Sequence, residues 1–560
     1  MLKIKISPRT RISIVGVMAI LLTLMVVIVD LRRGIPMIWD TWFHIGRVID
    51  IREAFKAHQV PTWINFSSYY GMGQAINGMY PDITLWPLIF ITNSFSLVNQ
   101  VIAIKVLILG DTFLISYISL VNHKFKKESS FYVAILYTFS GYSLYQFLYE
   151  LQPGAIIIYI FTFPLIFSIE EVLYAKSIEK KLIIKLSLLF GVVLYSHLLS
   201  AAVIACLILI LWFIRTIVEQ ELNYFSILNL IFASLLSFLY SMPILYRVYV
   251  ISKSKIAPPY GKGVVDSENL IDIFTNPQIY ARVSLSFVAL ILFIISIHYF
   301  GKEKEVTKLL IAEMVIIILC SNLIPWNILG KLPLINMFQF TPWRFGIYLS
   351  ALPMLAFLHT SLKNKNMILC VLAILSLVAV PEAFKQNNSI FKSSQCSFIK
   401  NNTVKENDLN IIIRDYLPAK VIGNSTENAV PSFYKKQALY PAMNGVKNIK
   451  LQRVNQRYGS ISFHNQDYVR NGTYVIPVYY YSSLNYQIKV NNKDMPKIKK
   501  SSNGLMMIKI TQNLHKNSKI TVKYRNPKFY NVLLIISLSM YVFVCAYFIR
   551  QNNLTELNIC

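Results

Sequence analysis

Apolar stretches long enough to cross a bilayer recur from one end of this 560-residue chain to the other, and no other feature narrows its fold so far. A helix needs about 20 apolar residues to span the hydrocarbon core. On that measure, spans are expected near residues 12–29, 99–121, 130–148, 154–174, 182–195, 198–217, 226–249, 283–300, 308–324, 344–362, 366–383 and 529–549, about twelve in all. The stretch 82–93 is too short and reads as an interfacial or re-entrant piece. Charged residues make up 15% of the chain, against about 25% in soluble proteins. The chain reads as a polytopic α-helical membrane protein. The first apolar run follows Lys3, Lys5, Arg9 and Arg11 and is followed by Asp30, Arg32 and Arg33 without a small-residue cleavage site, so it reads as a retained anchor.

Loop charges give an orientation. With the N-terminus inside, the cytoplasmic loops carry Lys124, Lys126 and Lys127, then Lys176, Lys180 and Lys181, Arg215, Lys302, Lys304 and Lys308, Lys363 and Lys365, and Arg550. The alternate loops carry Asp40, Asp82, Glu150, Asp266, Glu268 and Asp272. That is the positive-inside pattern, and it places both termini in the cytoplasm. Cys396 is the one cysteine expected outside, so no intrachain disulfide is expected there, and no CxxC pair points to zinc or redox chemistry.

From about Phe384 to Lys528 the long apolar runs stop. Alternating segments such as TYVIPVYYY, NYQIKV, GLMMIKI and KITVKY, separated by NNKD, SSNG and HKNS, predict short strands in a β-sandwich-like extracytoplasmic domain. The expected organisation is a transmembrane module over 1–383 with a large first external loop at 30–98, the β-rich domain over 384–528, and a last helix and short tail over 529–560. The β-rich region holds about 24 Lys and Arg against about 6 Asp and Glu, so about +18 of the formal +28 lies there. Positive-inside statistics do not explain that excess, because long domains translocate largely regardless of charge. It points to an anionic partner outside the membrane.

The most polar stretch among the spans runs from Pro36 to Pro81. In it Asp40, His44 and Arg47 are spaced i, i+4, i+7 and share one face of a helix. Phe43, Ile45, Val48 and Ile49 would cover its apolar side, as on a helix lying along a membrane surface. Two readings stand. A carboxylate, an imidazole and a guanidinium on one stripe serve proton transfer beside an anionic group. Alternatively, Asp40 is a helix N-cap and Arg47 contacts lipid headgroups. Glu150, at the outer end of the third span, is a second acid on the same side; two carboxylates there would hold a divalent cation or divide base and orienting roles. His197 is a hydrogen-bonded packing residue or a substrate contact at an outer turn. Lys105, Asp111 and Glu313 lie within expected spans, where charge is costly and function is the default. Gln339, Trp343 and Arg344 sit at the mouth of the tenth span, where a guanidinium clasps a phosphate or snorkels beside an aromatic belt. Arg247, and Lys253, Lys255 and Lys262, are further candidates for an anion. No Walker motif and no HExxH occur, and the G-x-G at Gly71 and Gly73 lacks the strand and third glycine of a dinucleotide site. Nothing marks the chain for nucleic acid. An exported site without nucleotide sugars must draw on a donor already in the membrane.

Asp40, Phe43, His44 and Arg47 form a D-x-x-F-H-x-x-R pattern that resembles the first loop of bacterial YfhO-like polytopic proteins, as do Pro61, Trp63, Gly71, Gly73 and the Tyr80–Pro81 pair. The segment FQFTPWRF is similar to the Q-F-P-W-R motif of that group, with Thr341 inserted between Phe340 and Pro342. Some relatives bear the label 6-pyruvoyl-tetrahydropterin synthase-related, but no zinc-histidine cluster supports pterin chemistry here. The group resembles the GT-C glycosyltransferases, which use polyprenyl-phosphate sugars. That resemblance implies Asp40 as the catalytic acid of the first loop and Glu150 as a second; beside them, the residues themselves offer His44 as a catalytic partner and Tyr80, Arg47, His197, Arg247, Gln339 and Arg344 as candidate substrate contacts. It implies sugar transfer from a polyprenyl-phosphate donor to a cell-envelope acceptor at a bacterial cell membrane, and the basic β-rich region points to an anionic acceptor such as a teichoic-acid-like polymer. A divalent cation held by Asp40 and Glu150 is left open. Two rivals are a lipid-linked glycan flippase, in which Lys105, Asp111 and Glu313 would matter more, and a non-catalytic envelope scaffold.

Overall fold

Six helices in the computed structural model are long and apolar enough to cross a membrane among the described residues: Pro8–Arg33, Leu97–Asn122, Leu198–Glu219, Tyr224–Ser252, Lys365–Lys392 and Lys528–Gln551. The structure describes residues 7–557 apart from 39, 65, 67–70, 150, 258–266, 276–284, 333–334, 336–341, 394–395, 402–414, 420–448, 495–497 and 501–503. A seventh span arises if Pro153–Ile160 and Thr162–Leu173, bent by 57° at Phe161, count as one.

The expected twelve are therefore not all built as helices of spanning length, because polar residues and helix breakers divide the apolar runs. Residues 130–148 give the helix Lys127–Thr138, a single turn at Gly141–Leu144 capped by Ser140, and a π-helical turn at Tyr145–Tyr149. His197 separates Lys180–Ser196 from Leu198–Glu219. The ninth expected span is Lys304–Cys320, and the tenth is a 3-10 turn, Pro342–Phe345, followed by Gly346–His359. At 1.5 Å per residue, the 14 residues of Gly346–His359 reach about 21 Å, short of a hydrocarbon core of about 30 Å. These short pieces pack inside the bundle; Gly346–His359 is buried along almost its whole length.

Residues 451–524 form two antiparallel sheets. The larger has the order Leu451–Arg457, Ser460–Asn465, Lys519–Tyr524, Tyr486–Val490, Lys493–Asp494, and the smaller the order Gly472–Tyr479, Leu505–Ile510, Ile498–Lys500. Period-two alternation puts Ile520, Val522 and Tyr524 on one buried face. The core they join is not confined to this region. It includes Trp63, Ile64, Phe66 and Met72 of the first loop, and Tyr240, Ile244 and Ile251 of the Tyr224–Ser252 helix.

Hydrogen bonds bind the two regions as well. Asn526 accepts from the Trp63 N–H (3.0 Å) and donates to the Pro61 carbonyl (2.9 Å). The Tyr479 N–H donates to the Met72 carbonyl at 2.8 Å. That carbonyl lies in the Gly71–Met72–Gly73 turn, where both glycines have positive φ, and a Cβ on Gly73 would meet Ile64 Cγ2 at 2.9 Å. Further along, Ile35–Met37 pairs antiparallel with Ser397–Ile399. The first loop and the β-rich region, expected as separate pieces, are knit together.

Lys105 Nζ lies 3.0 Å from Asp30, which also takes Arg33 at 2.8 Å. The charge expected to be costly within that helix is thus paired between neighbouring helices.

Candidate active site

Asp40 stands at the N-cap position of the helix Thr41–Lys56, but its side chain makes no capping bond. Its Oδ2 instead accepts from Gln152 Nε2 at 3.1 Å. The Leu151 N–H donates to Thr41 Oγ1 at 3.4 Å, so the segment between the π turn and Pro153 docks on the start of this helix. The helix does not lie on a surface. Twelve of its sixteen residues are buried, polar ones included, because the bundle covers one side and the loop and β-rich region the other. Arg47 is 0% exposed, which removes lipid-headgroup contact as its role.

Arg47 organises the polar stripe. Its Nη1 donates to His44 Nδ1 at 3.1 Å, and its Nη2 donates to the Pro81 carbonyl. Its guanidinium lies 4.2 Å from the centre of the Tyr80 ring, a cation–π contact. Burial lowers Arg47 to about 10, opposed by Tyr80 and Asp82, so it stays charged at neutral pH. Accepting from Arg47 requires a neutral His44 with its proton on Nε2. Burial, then the charge of Arg47 and the neighbouring His197, hold His44 well below the usual histidine range. His197 is held there too, by burial and then by Arg344 and Arg47.

Tyr80 is the meeting point. Its ring lies 5.5 Å from His44, 5.5 Å from Phe43 and 5.2 Å from His197. Burial raises its hydroxyl above the usual tyrosine range; Arg47 and Arg344 oppose that rise, while Asp40 and Tyr142 add to it. One ring therefore feels both Asp40, from the first loop, and Arg344, from the turn Pro342–Phe345. His197 also caps the helix Leu198–Glu219, its Nδ1 accepting from the Ser200 N–H at 3.2 Å. The hydrogen-bonded packing reading of His197 is therefore met by its cap, and its ring is tilted at 35° to that of Tyr80.

Arg247 is placed differently from the phosphate-binding group expected of it. It is 1% exposed, ion-paired with Asp82 at 2.7 Å, and donates to the Tyr80 carbonyl at 2.9 Å. Its charge is committed, and it fixes the backbone that carries Tyr80. Glu150, Gln339 and Lys262 lie outside the described residues, and only the backbone of Trp343 is described. Among the described residues, no three His, Cys, Asp or Glu side chains gather to hold a metal ion.

The structure adds residues that the sequence did not single out. Gln152 could have been suspected, as a polar residue beside a Pro-Gly break between two spans. Gly154 packs where a Cβ would meet the Ser196 carbonyl oxygen at 2.6 Å and Tyr80 Cε1 at 3.0 Å. Tyr416 gave no signal. It follows the segment after the eleventh expected span, its φ is +61°, and its ring lies 6.0 Å from Phe43. Its carbonyl accepts from the Tyr481 hydroxyl at 2.9 Å. Such a backbone is uncommon for a bulky residue and tends to mark function.

No family model matches the sequence, and no curated protein does. The cryo-EM structure of arabinofuranosyltransferase AftD from Mycobacteria is similar over 68% of this chain and 27% of that one, with 11% identity and a TM-score of 0.39. The chain spans well under half of that protein.

Proposed function

We propose that this protein is a membrane glycosyltransferase that moves a sugar from a polyprenyl-phosphate carrier to a hydroxyl of a cell-envelope acceptor. The observation that supports it best is that one buried ring, Tyr80, feels both an acid, Asp40, and a cation, Arg344, with the Arg47 guanidinium 4.2 Å from its centre. Asp40 takes the proton of the acceptor hydroxyl. The oxygen attacks the anomeric carbon, and the bond from that carbon to the phosphate oxygen breaks with its electron pair going to the phosphate. Arg344 stabilises that charge, and one such donor is worth about 3 kcal/mol of barrier. Neutral His44 orients Arg47, which holds Tyr80 and Pro81 in place. His197 and Tyr80 wall the sugar site, and Arg247 positions Tyr80 through its backbone. By the family resemblance, Glu150 is a second acid and Gln339 a substrate contact.

Asp40→Asn tests the proposal. It should lower sugar transfer in isolated membranes by about 10²–10⁴-fold, the usual contribution of a general base, with normal insertion and Tm. Unchanged transfer would remove the enzyme reading and leave the flippase or scaffold.

A further inference from the structure

At the far end of the first helix from Asp40 lies a cavity of about 690 Å³. Its lining includes Arg11, Lys124, Lys126, Lys363 and Lys365, with Phe125 and Met367 among its apolar walls. Arg11 and Arg33 sit near opposite ends of that helix, about 33 Å apart at 1.5 Å per residue, so this cavity is separate from the Tyr80 site. Two carboxylates border it, and both are engaged. Glu128 accepts from Arg11 at 2.6 Å and from Asn366 at 2.8 Å. Glu303 accepts from the Ser361 N–H at 2.8 Å. Lys365 donates to the carbonyls of Leu358 (2.8 Å) and Thr360. Lys124, Lys126 and Lys363 are exposed and have no ion-pair partner among the described residues. The helix Lys127–Thr138 begins at the same rim with Lys126 as its N-cap and no side-chain capping bond, so its first N–H groups also point positive charge at the space. Met367 in its lining is an exposed apolar residue, and Ile14 follows Arg11 by one turn on the first helix with its side chain exposed.

The positive-inside rule accounts for lysines in such loops, but not for two loops and the start of the first helix gathering their cations around one cavity. We infer that this basin binds the phosphate group of an anion presented at that membrane face. The two sources of such a group are an anionic phospholipid headgroup, for which basic pockets at helix ends are suited, and a soluble phosphate compound.

The test uses the full chain in nanodiscs of phosphatidylcholine with phosphatidylglycerol, with retained lipid counted by native mass spectrometry, and inorganic phosphate titrated calorimetrically in parallel. One variant combines Lys124→Gln, Lys126→Gln and Lys363→Gln. A control combines Lys176→Gln, Lys180→Gln and Lys181→Gln, also exposed. All six side chains are exposed, so both variants keep the fold. Retained phosphatidylglycerol that drops at least about tenfold in the first variant only supports the site with lipid as its source. Inorganic phosphate binding with the same dependence, and no preference for phosphatidylglycerol, supports it with a soluble source. Equal loss in both variants, or no difference from wild type for either probe, overturns it.

Discussion

Two buried acids near Tyr80 should respond oppositely to the same substitution. Asp50 accepts from Asn77 Nδ2 at 2.7 Å and is 5% exposed. Burial raises its carboxyl well above its ordinary 3.8, Asn77 opposes, and Asp82 and Glu53 add to the rise. The folded protein therefore holds a proton there that the unfolded chain releases, and stability falls as pH rises from about 4 toward the folded value. Asp50→Asn keeps an acceptor for Asn77 and removes that slope. Its Tm should match wild type near pH 4 and exceed it increasingly as pH rises from there toward the folded value; parallel curves would show that Asp50 is ionised. Asp82 instead faces Arg247 in a fully buried ion pair. Asp82→Asn leaves a buried guanidinium uncompensated and should cost about 3–5 kcal/mol of stability, read as a large drop in Tm.

Among the elements, the segment from the π turn to Pro153–Ile160 matters most. Single π turns recur at functional sites, and here the chain leaving one delivers Gln152 to Asp40. Gly154→Ala adds a methyl 2.6 Å from a backbone oxygen that cannot turn aside and 3.0 Å from Tyr80. Overpacking of this kind costs about 1–3 kcal/mol. Because Tyr80 is the displaced neighbour, transfer should fall by more than the Tm loss explains, measured at a temperature where the variant is fully folded. The Asp40, His44, Arg47 stripe was legible from helical spacing alone, since i, i+4, i+7 is a property of the helix. The burial of that helix was not, because part of its cover comes from residues more than 350 positions away, such as Tyr416. Span positions were legible where apolar runs are uninterrupted. They failed at Ser140, where a cap divides the run 130–148 into short pieces, and at the tenth expected span, where a 3-10 turn leads into a helix too short to cross, while the expected break between 182–195 and 198–217 falls at His197.

For the whole molecule, the described strands of the β-rich region belong to the same body as the Tyr80 site, through the core shared with Trp63 and Met72, and the sequence from 384 to 528 carries an excess of about +18. Under the proposed function, an anionic acceptor polymer drawn to those lysines would be held where its hydroxyl groups meet Asp40. Binding of a polyphosphate polymer to the full chain should weaken steeply between 50 and 200 mM salt, by about tenfold or more. Binding indifferent to salt would take the polymer out of the proposal. The isolated β-rich region is a poor reagent for that measurement, because cutting it out exposes the apolar face that Trp63, Ile64 and Phe66 cover.

The pairing of Ile35–Met37 with Ser397–Ile399 also sets a timetable. A ribosome makes the helix Thr41–Lys56 long before the strand that pairs with Ile35–Met37, which leaves the tunnel only after residue 399 has been translated, with Tyr416 later still. Throughout that interval Asp40 waits with part of its surroundings unbuilt.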